Sequence, residues 1–432
     1  MKLALIRPNM GNHKSSDAMQ PLAIGILAEL SKGHDVVFYD DRTEDVPETI
    51  DADLIGMSVE TFTAKRAYML ADRYRQQGIP VVMGGYHPTF LPDEALRHAD
   101  AVVVGDAEGT WEEVLADFEK KELKKIYRSK NGSMTNVKVN RNIFKDKKYA
   151  PVEMVQYGRG CRFVCDFCSI HSFYGSNVRV RPVDRVQQEL SEIDRRKLLF
   201  FVDDNLFSTI DNVKSLLKML KPLKLNWSCQ ISIDIARDHG MLDLMAESGC
   251  KFVLIGFESL QPDNLKAMRK NWNHVSGPYS EVVKALHQRG IGIYGTFVFG
   301  YDHDTADTIR ESLDFALESR LEIANFNPLT PTPASELYNR LKDEGRLISP
   351  EWWLDPSYKY GSPIFKPARI TAEEMNEKCF EAKKEFYSWS SIGRRVLLSD
   401  TKFSLFGRSM STIANIISRR EIYNKQGMAL GA

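Results

Sequence analysis

Gly160-Cys161-Arg162-Phe163-Val164-Cys165-Asp166-Phe167-Cys168 sets three cysteines at the spacing C-x-x-x-C-x-x-C, while the other three cysteines of the chain are scattered. Thiolates are soft ligands that suit iron–sulfur clusters or zinc. A cubane cluster ordinarily takes four cysteines. Three in one tight loop hold three irons and leave the fourth open to a substrate or cofactor. A rival reading adds His171, at C-x-x-H spacing from Cys168, to make a small zinc site on Cys161, Cys165, Cys168 and His171. That reading would make the chain a zinc-stapled binding protein without catalysis. A disulfide is disfavoured, because Met1-Lys2-Leu3-Ala4-Leu5-Ile6-Arg7 reads as a first strand, not a secretion signal, and the remaining cysteines are unpatterned.

The 432 residues accommodate two or three domains. With 43% apolar and 27% charged residues the composition can bury a sizeable core. A formal net charge of +0 offers nucleic acid no bulk attraction. No apolar run approaches a membrane span, and unpaired cysteines fit a reducing cytoplasm, where the chain is expected.

Ahead of the cysteine loop, apolar runs at 3–6, 35–39, 54–59, 80–83 and 101–104 read as buried parallel strands. Helical periodicity lies between them at 21–30, 64–77 and 110–120. Such alternation makes an open doubly wound sheet, which binds ligands at the carboxyl ends of its strands. There the sequence places Ser58-Val59-Glu60-Thr61, Gly84-Gly85-Tyr86-His87-Pro88-Thr89 and Gly105-Asp106-Ala107-Glu108-Gly109-Thr110.

Beyond residue 150, strands are expected at 152–157, 198–202, 227–231, 252–255, 293–299 and 322–327, with helices at 185–195, 213–220, 241–248, 280–289 and 305–317. Six strand–helix units form a partial version of the eightfold barrel, whose chemistry sits at the carboxyl ends of its strands. Asp203-Asp204-Asn205, Gln230 with Ser232, and Gly256-Phe257-Glu258-Ser259 fall at those ends. The aspartate pair reads as a site element or as an N-cap and turn. Arg179 and Arg181, just past the cysteine loop, can hold a carboxylate in a bidentate fork or pair with a neighbouring acid.

The cysteine motif, with Phe167 as the aromatic before the last cysteine, resembles that of the radical S-adenosylmethionine (SAM) enzymes. The resemblance implies a [4Fe–4S] cluster on Cys161, Cys165 and Cys168, whose open iron chelates the amino and carboxylate groups of SAM. One electron from an external flavodoxin- or ferredoxin-type reductant then yields a 5′-deoxyadenosyl radical. It also implies that Asp203 or Asp204 faces SAM or the substrate, and that Gln230 lines the pocket. Glu258 and Ser259 of a G-x-E-S element would lie by the ribose and methionine end of SAM. Arg181 or Arg179 would bind a carboxylate of SAM or substrate, and Thr296-Phe297-Val298-Phe299-Gly300-Tyr301 would pack against adenine.

The N-terminal loops are similar to those of the cobalamin-binding domain found ahead of many radical SAM enzymes. Gln20-Pro21-Leu22-Ala23-Ile24-Gly25-Ile26-Leu27-Ala28 matches its first helix. The matching loops place Ser58, Thr61, Gly84, Gly85, His87, Gly105 and Glu108 around cobalamin. The D-x-H-x-x-G ligand motif of the classical cobalamin enzymes is missing, since His13 stands in Gly11-Asn12-His13-Lys14-Ser15-Ser16. His87 reads as a turn residue beside the pocket. With cobalamin bound, the resemblance implies methyl transfer to a substrate carbon radical; without it, ring closure, rearrangement or carbon–carbon coupling.

The expected division is a cobalamin-binding Rossmann-like domain over 1–130, a linker with a turn at Asn131-Gly132 over 131–150, a partial (β/α)6 barrel over 151–345, and a small helical extension over 346–432. Trp352, Trp353, Tyr358, Tyr360 and Phe365 are expected to cap the barrel or form a satellite cluster. The mixed basic and apolar tail, from Arg394-Arg395 to Arg419-Arg420, suits docking on the barrel or a membrane-surface helix. The substrate is a small molecule or lipid, with lipid, tetrapyrrole, peptide and antibiotic precursor all open.

Overall fold

The N-terminal aliphatic runs become strands because they are buried on both sides. Leu3, Ala4, Leu5, Ile6, Leu54 and Ile55 are all fully buried, the signature of a parallel sheet covered by helices. The computed structural model describes residues 1–130, 134–275, 277–399 and 401–431; the turn expected at Asn131-Gly132 lies outside them. Strands β1 (Lys2–Arg7), β2 (Asp35–Asp40), β3 (Leu54–Ser58), β4 (Val81–Gly84), β5 (Ala101–Val104) and β6 (Ile126–Arg128) lie in the order β2-β1-β3-β4-β5-β6, all parallel. The three-residue β6 is too short to show a period in sequence. Strand order reverses at β1, so the loops after β1 and β3 part there and leave a crevice.

The second sheet follows β7 (Val152–Val155). Two-residue strands β8 (Gly158–Arg159) and β9 (Arg179–Val180) then pair antiparallel across the cysteine loop. Strands β10 (Leu198–Phe201), β11 (Trp227–Ile231), β12 (Cys250–Glu258), β13 (Gly292–Phe299) and β14 (Ile323–Pro328) complete a parallel sheet ordered β14-β13-β12-β11-β10-β7. β7 and β14 remain its two edges, so the barrel is partial. Val155, Phe201, Cys229, Ile255, Phe297 and Phe326 join one core beneath the helices. The rings of Phe257, Phe297 and Phe326 stack there at 5.5 and 5.4 Å. Met154, Gln156, Gln230, Thr296 and Asn325 have the opposite parity and face the inside of the curve.

The tryptophan cluster corrects an expectation. Trp352, Trp353, Tyr358 and Ile364 do not cap the barrel; they are buried with Ile6, Met57, Tyr68 and Met83 in the core of the N-terminal domain. Trp352 lies 4.9 Å from the ring of Phe62. Trp353 Nε1 donates to Glu94 Oε1 at 3.0 Å, and the same oxygen takes Tyr68 OH at 2.8 Å and contacts His87 Nε2 at 2.9 Å. Burial opposes the Glu94 charge, but the bonds from His87, Tyr68 and Trp353 outweigh it and hold the carboxyl below its ordinary value. Phe365 stays with the barrel, beside Tyr301 and Leu329, and Trp352 Nε1 donates to Pro331 O, just past β14, at 3.3 Å. Helices Ala372–Phe386, Trp389–Leu397 and Leu405–Lys425 follow. The buried Arg395 staples the last two to the barrel, donating to Leu321 O, Glu322 O, Phe386 O and Asn415 Oδ1. Among the described residues no helix is long and apolar enough to cross a membrane.

Candidate active site

The cysteine loop is held at its root by the aspartate pair. Asp203 Oδ2 accepts Tyr157 N at 3.0 Å, its other oxygen accepts Gly158 N, and Asp204 Oδ2 accepts Gly160 N at 2.8 Å. Burial pushes the Asp203 carboxyl up to about 7. Both carboxylates therefore pin the strand that enters the loop. Of the two readings of the pair, these bonds are of the turn-fixing kind. Asn205 Nδ2 lies 3.8 Å from Cys161 Sγ and 3.1 Å from Ser232 Oγ, so it braces the first cysteine against the end of β11. Gln230, one of the last residues of that strand, is half-buried. Phe163 stacks on Trp272 at 3.9 Å, and Phe167 packs into the cluster of Tyr301 and Phe365, away from the cysteine sulfurs' role as donors.

Cys161, Cys165 and Cys168 are free thiols. Burial pushes Cys165 up to about 12 and raises Cys168 as well, so bound iron must supply the positive charge that keeps them deprotonated. Among the described residues no three His, Cys, Asp or Glu groups gather as ligands of a single ion. Three soft donors on one partly buried loop fit a cluster, whose irons are bound separately.

Glu258 ends β12 in the left-handed region, φ 63°, where a non-glycine residue is strained and such strain gathers at functional sites. The ladder to β13 shifts register between Gly256 and Glu258. Lys270, which no motif marks, meets Glu258 Oε1 at 2.6 Å and Gly256 O at 3.0 Å. Burial works against the lysine charge, but Glu258 and the nearby Cys165 and Cys168 hold its ammonium above the ordinary value. Ser259 Oγ accepts Gln261 N at 3.1 Å, closing the turn that leads into the next helix. Removing one partner of a buried ion pair costs about 3–5 kcal/mol. Lys270→Met is expected to lower the urea midpoint accordingly, and Glu258→Gln on top of it to restore part of the loss.

Between the two sheets lies a cavity of about 750 Å³. The N-terminal domain gives it Ser58, Gly84, Gly85, Tyr86, Gly105 and Glu108; the barrel adds Gln156, Arg159, Tyr174 and Val202, and the tail adds Tyr360 and Lys425. Most residues expected around cobalamin thus meet here, facing the strand that leads into the cysteines. Thr61 and His87 do not. Both are buried behind the loop, with His87 Nδ1 at 3.4 Å from Thr61 Oγ1 and Nε2 on Glu94, so His87 ties the loop to the Trp353 strap.

Both arginines past the cysteine loop pair with neighbouring acids, one of the two readings open to them. Arg181 is buried, and its Nη1 donates to Glu189 Oε2 at 2.6 Å and Gln156 O at 2.8 Å, which ties it to the inside of the barrel. Arg179 pairs with Asp106 at 2.6 Å. Arg159, unmarked in sequence, grips Glu108 at 2.7 and 3.0 Å and Asp106 at 3.1 Å. The Gly105–Glu108 loop therefore joins the N-terminal domain to the residues just before Cys161, besides lining the cavity.

Residues 13–115 match the B12 binding domain family and residues 155–316 the Radical SAM superfamily. Among similar proteins is bacteriochlorophyllide d C-12(1)-methyltransferase of Chlorobaculum tepidum, 32% identical over 91% of this chain and 89% of that one. The bacteriochlorophyllide d C-8(2)-methyltransferase of the same organism is 28% identical over 88% of each. The solved radical SAM methyltransferase TsrM of Kitasatospora setae, with cobalamin and [4Fe–4S] cluster bound, superposes with a TM-score of 0.68 at 14% identity, covering 98% of this chain and 99% of that one. Sequence kinship over nearly the whole length and the two-domain fold agree that this chain belongs to the cobalamin-dependent radical SAM methyltransferases.

Proposed function

We propose that the chain methylates an unactivated carbon of a chlorin-type tetrapyrrole. The observation that carries the reaction is the cavity that B12-side loops and the root of the cysteine loop line together. The substrate class rests on the two relatives that act on bacteriochlorophyllide d. When bound, the cluster, SAM and cobalamin supply one-electron cleavage, a hydrogen-abstracting radical and a methyl donor.

The chain's own residues place and shield that chemistry. Cys161, Cys165 and Cys168 hold the cluster, with Asn205 steadying Cys161 and the two aspartates fixing the strand before it. Glu258, at the carboxyl end of β12 and braced by Lys270, is positioned to accept the ribose hydroxyls of SAM. Ser58, Gly84, Gly85 and Gly105, which line the N-terminal side of the cavity, would let the backbone approach cobalamin closely. Arg159 with Asp106 and Glu108, and Tyr86 against Phe173 at 4.7 Å, close the seam between the domains against water. The electron comes from a flavodoxin- or ferredoxin-type partner, and the setting is a reducing cytoplasm, which suits six free cysteines.

The test is anaerobic reconstitution with iron, sulfide and hydroxocobalamin, followed by SAM labelled in its methyl group and bacteriochlorophyllide d. A product carrying one labelled methyl is expected. 5′-Deoxyadenosine with an unlabelled, cyclised or unchanged pigment would reject this substrate class.

A further inference from the structure

The last two helices carry a surface that the active site does not use. On the helix Leu405–Lys425, the buried positions Gly407, Ser411, Asn415 and Glu421 recur at helical spacing. The opposite stripe exposes Leu405, Ile413, Ile416 and Tyr423. At one end of this ridge stand Leu397 and Leu398, from the end of the preceding helix; Leu405 is 86% exposed and Leu397 78%. At the other stands Trp389, joined to the ridge by Arg419, whose guanidinium lies 4.9 Å from its ring and 5.5 Å from that of Tyr423. A run of large apolar side chains left in water is not what a helix docked on a barrel presents.

Charge says what covers it. Arg394, Lys402, Arg408 and Arg420 are exposed around the ridge, and none is paired with an acid among the described residues. The acid of the helix itself, Glu421, is buried on the other side against Ser16 and Lys425. An apolar ridge fringed by unpaired cations fits an anionic bilayer surface, where the apolar side chains enter the acyl boundary and the cations meet lipid phosphates. The helix also leads inward: Lys425 and, just past it, Met428 line the active-site cavity. The surface and the cavity are thus two ends of one rigid element.

We propose that the Leu397–Leu405 corner and the exposed stripe of helix Leu405–Lys425 dock the enzyme on an anionic membrane surface. The proposal stands apart from the identity of the substrate.

The test uses the full-length reconstituted protein in flotation with vesicles of phosphatidylcholine alone or mixed with phosphatidylglycerol. Each cation near an anionic surface strengthens partition roughly fivefold. Binding to the mixed vesicles is expected to exceed that to phosphatidylcholine at least tenfold. Arg408→Gln with Arg420→Gln should weaken it roughly 25-fold, and Ile416→Glu should abolish it. These exposed sites can change without touching the core, and unchanged iron and cobalamin content checks that they have. Equal binding to both vesicle types, no binding, or variants that bind like wild type would each overturn the proposal. So would a concentration-dependent dimer lost on Leu405→Glu, which would assign the face to a second copy of the chain.

Discussion

Gly160→Ala is expected to leave a folded protein that cannot hold its iron, although all three cysteines remain. Gly160 has φ 89°, and a Cβ there would lie 2.2 Å from the carbonyl oxygen of Asn177 and 3.2 Å from its carbon. The left-handed conformation alone costs an alanine about 1–2 kcal/mol. The contact is worse, because its partner is backbone in the segment leading to β9 and cannot swing aside as a side chain would. Relief means parting β8 from β9, which breaks the bond from Gly160 N to Asp204 and carries Cys161 away from Asn205. A cluster bound at three points does not survive the loss of one. Iron should fall from about four per chain to a small fraction, and SAM-derived 5′-deoxyadenosine should vanish with it. Gly175 supplies the control. Its φ is also positive, 61°, but nothing lies within 4 Å of a Cβ there. Gly175→Ala should cost about 1–3 kcal/mol of stability and keep its iron. Full iron in Gly160→Ala would show that the loop does not depend on this turn.

Arg159→Met should uncouple the two halves of the reaction. Arg159, Asp106 and Glu108 have side chains only 8, 6 and 16% exposed, so screening by water is slight. Removing the guanidinium leaves Glu108 charged and buried without its bidentate partner, while Asp106 keeps Arg179. Breaking a buried pair from one side costs about 3–5 kcal/mol, and here the cost falls on the docking of the N-terminal domain against the strand before Cys161. The cluster ligands are untouched, so SAM cleavage should continue. The ratio of 5′-deoxyadenosine to methylated product should rise tenfold or more. Glu108→Gln on the Arg159→Met background should recover part of the coupling, since a neutral amide tolerates the missing cation better than a carboxylate. An unchanged ratio, with only a lower unfolding midpoint, would limit the pair to stability.

What the sequence determined by itself is what local pattern can encode. Cys161, Cys165 and Cys168 lie within one loop, so their spacing states their shared use. Apart from β6, the strands of both sheets are buried apolar runs whose period needs no distant partner to be seen, and the loops that begin at Ser58, Gly84 and Gly105 follow from where those strands stop. Tertiary structure alone decided which charge meets which. Glu108 and Arg159 are 51 residues apart, and Glu94 and Trp353 are 259 apart. A buried carboxylate or indole announces that it needs a partner, but topology, not composition, delivers one. Asp203, Asp204, Arg179 and Arg181 each left two readings open by position, ligand group or internal partner, and the fold gives each a partner among its own amides and acids. The same holds for Trp352 and Trp353: their size fixes that they are buried, and only the crossing of the chain back over the N-terminal sheet fixes where.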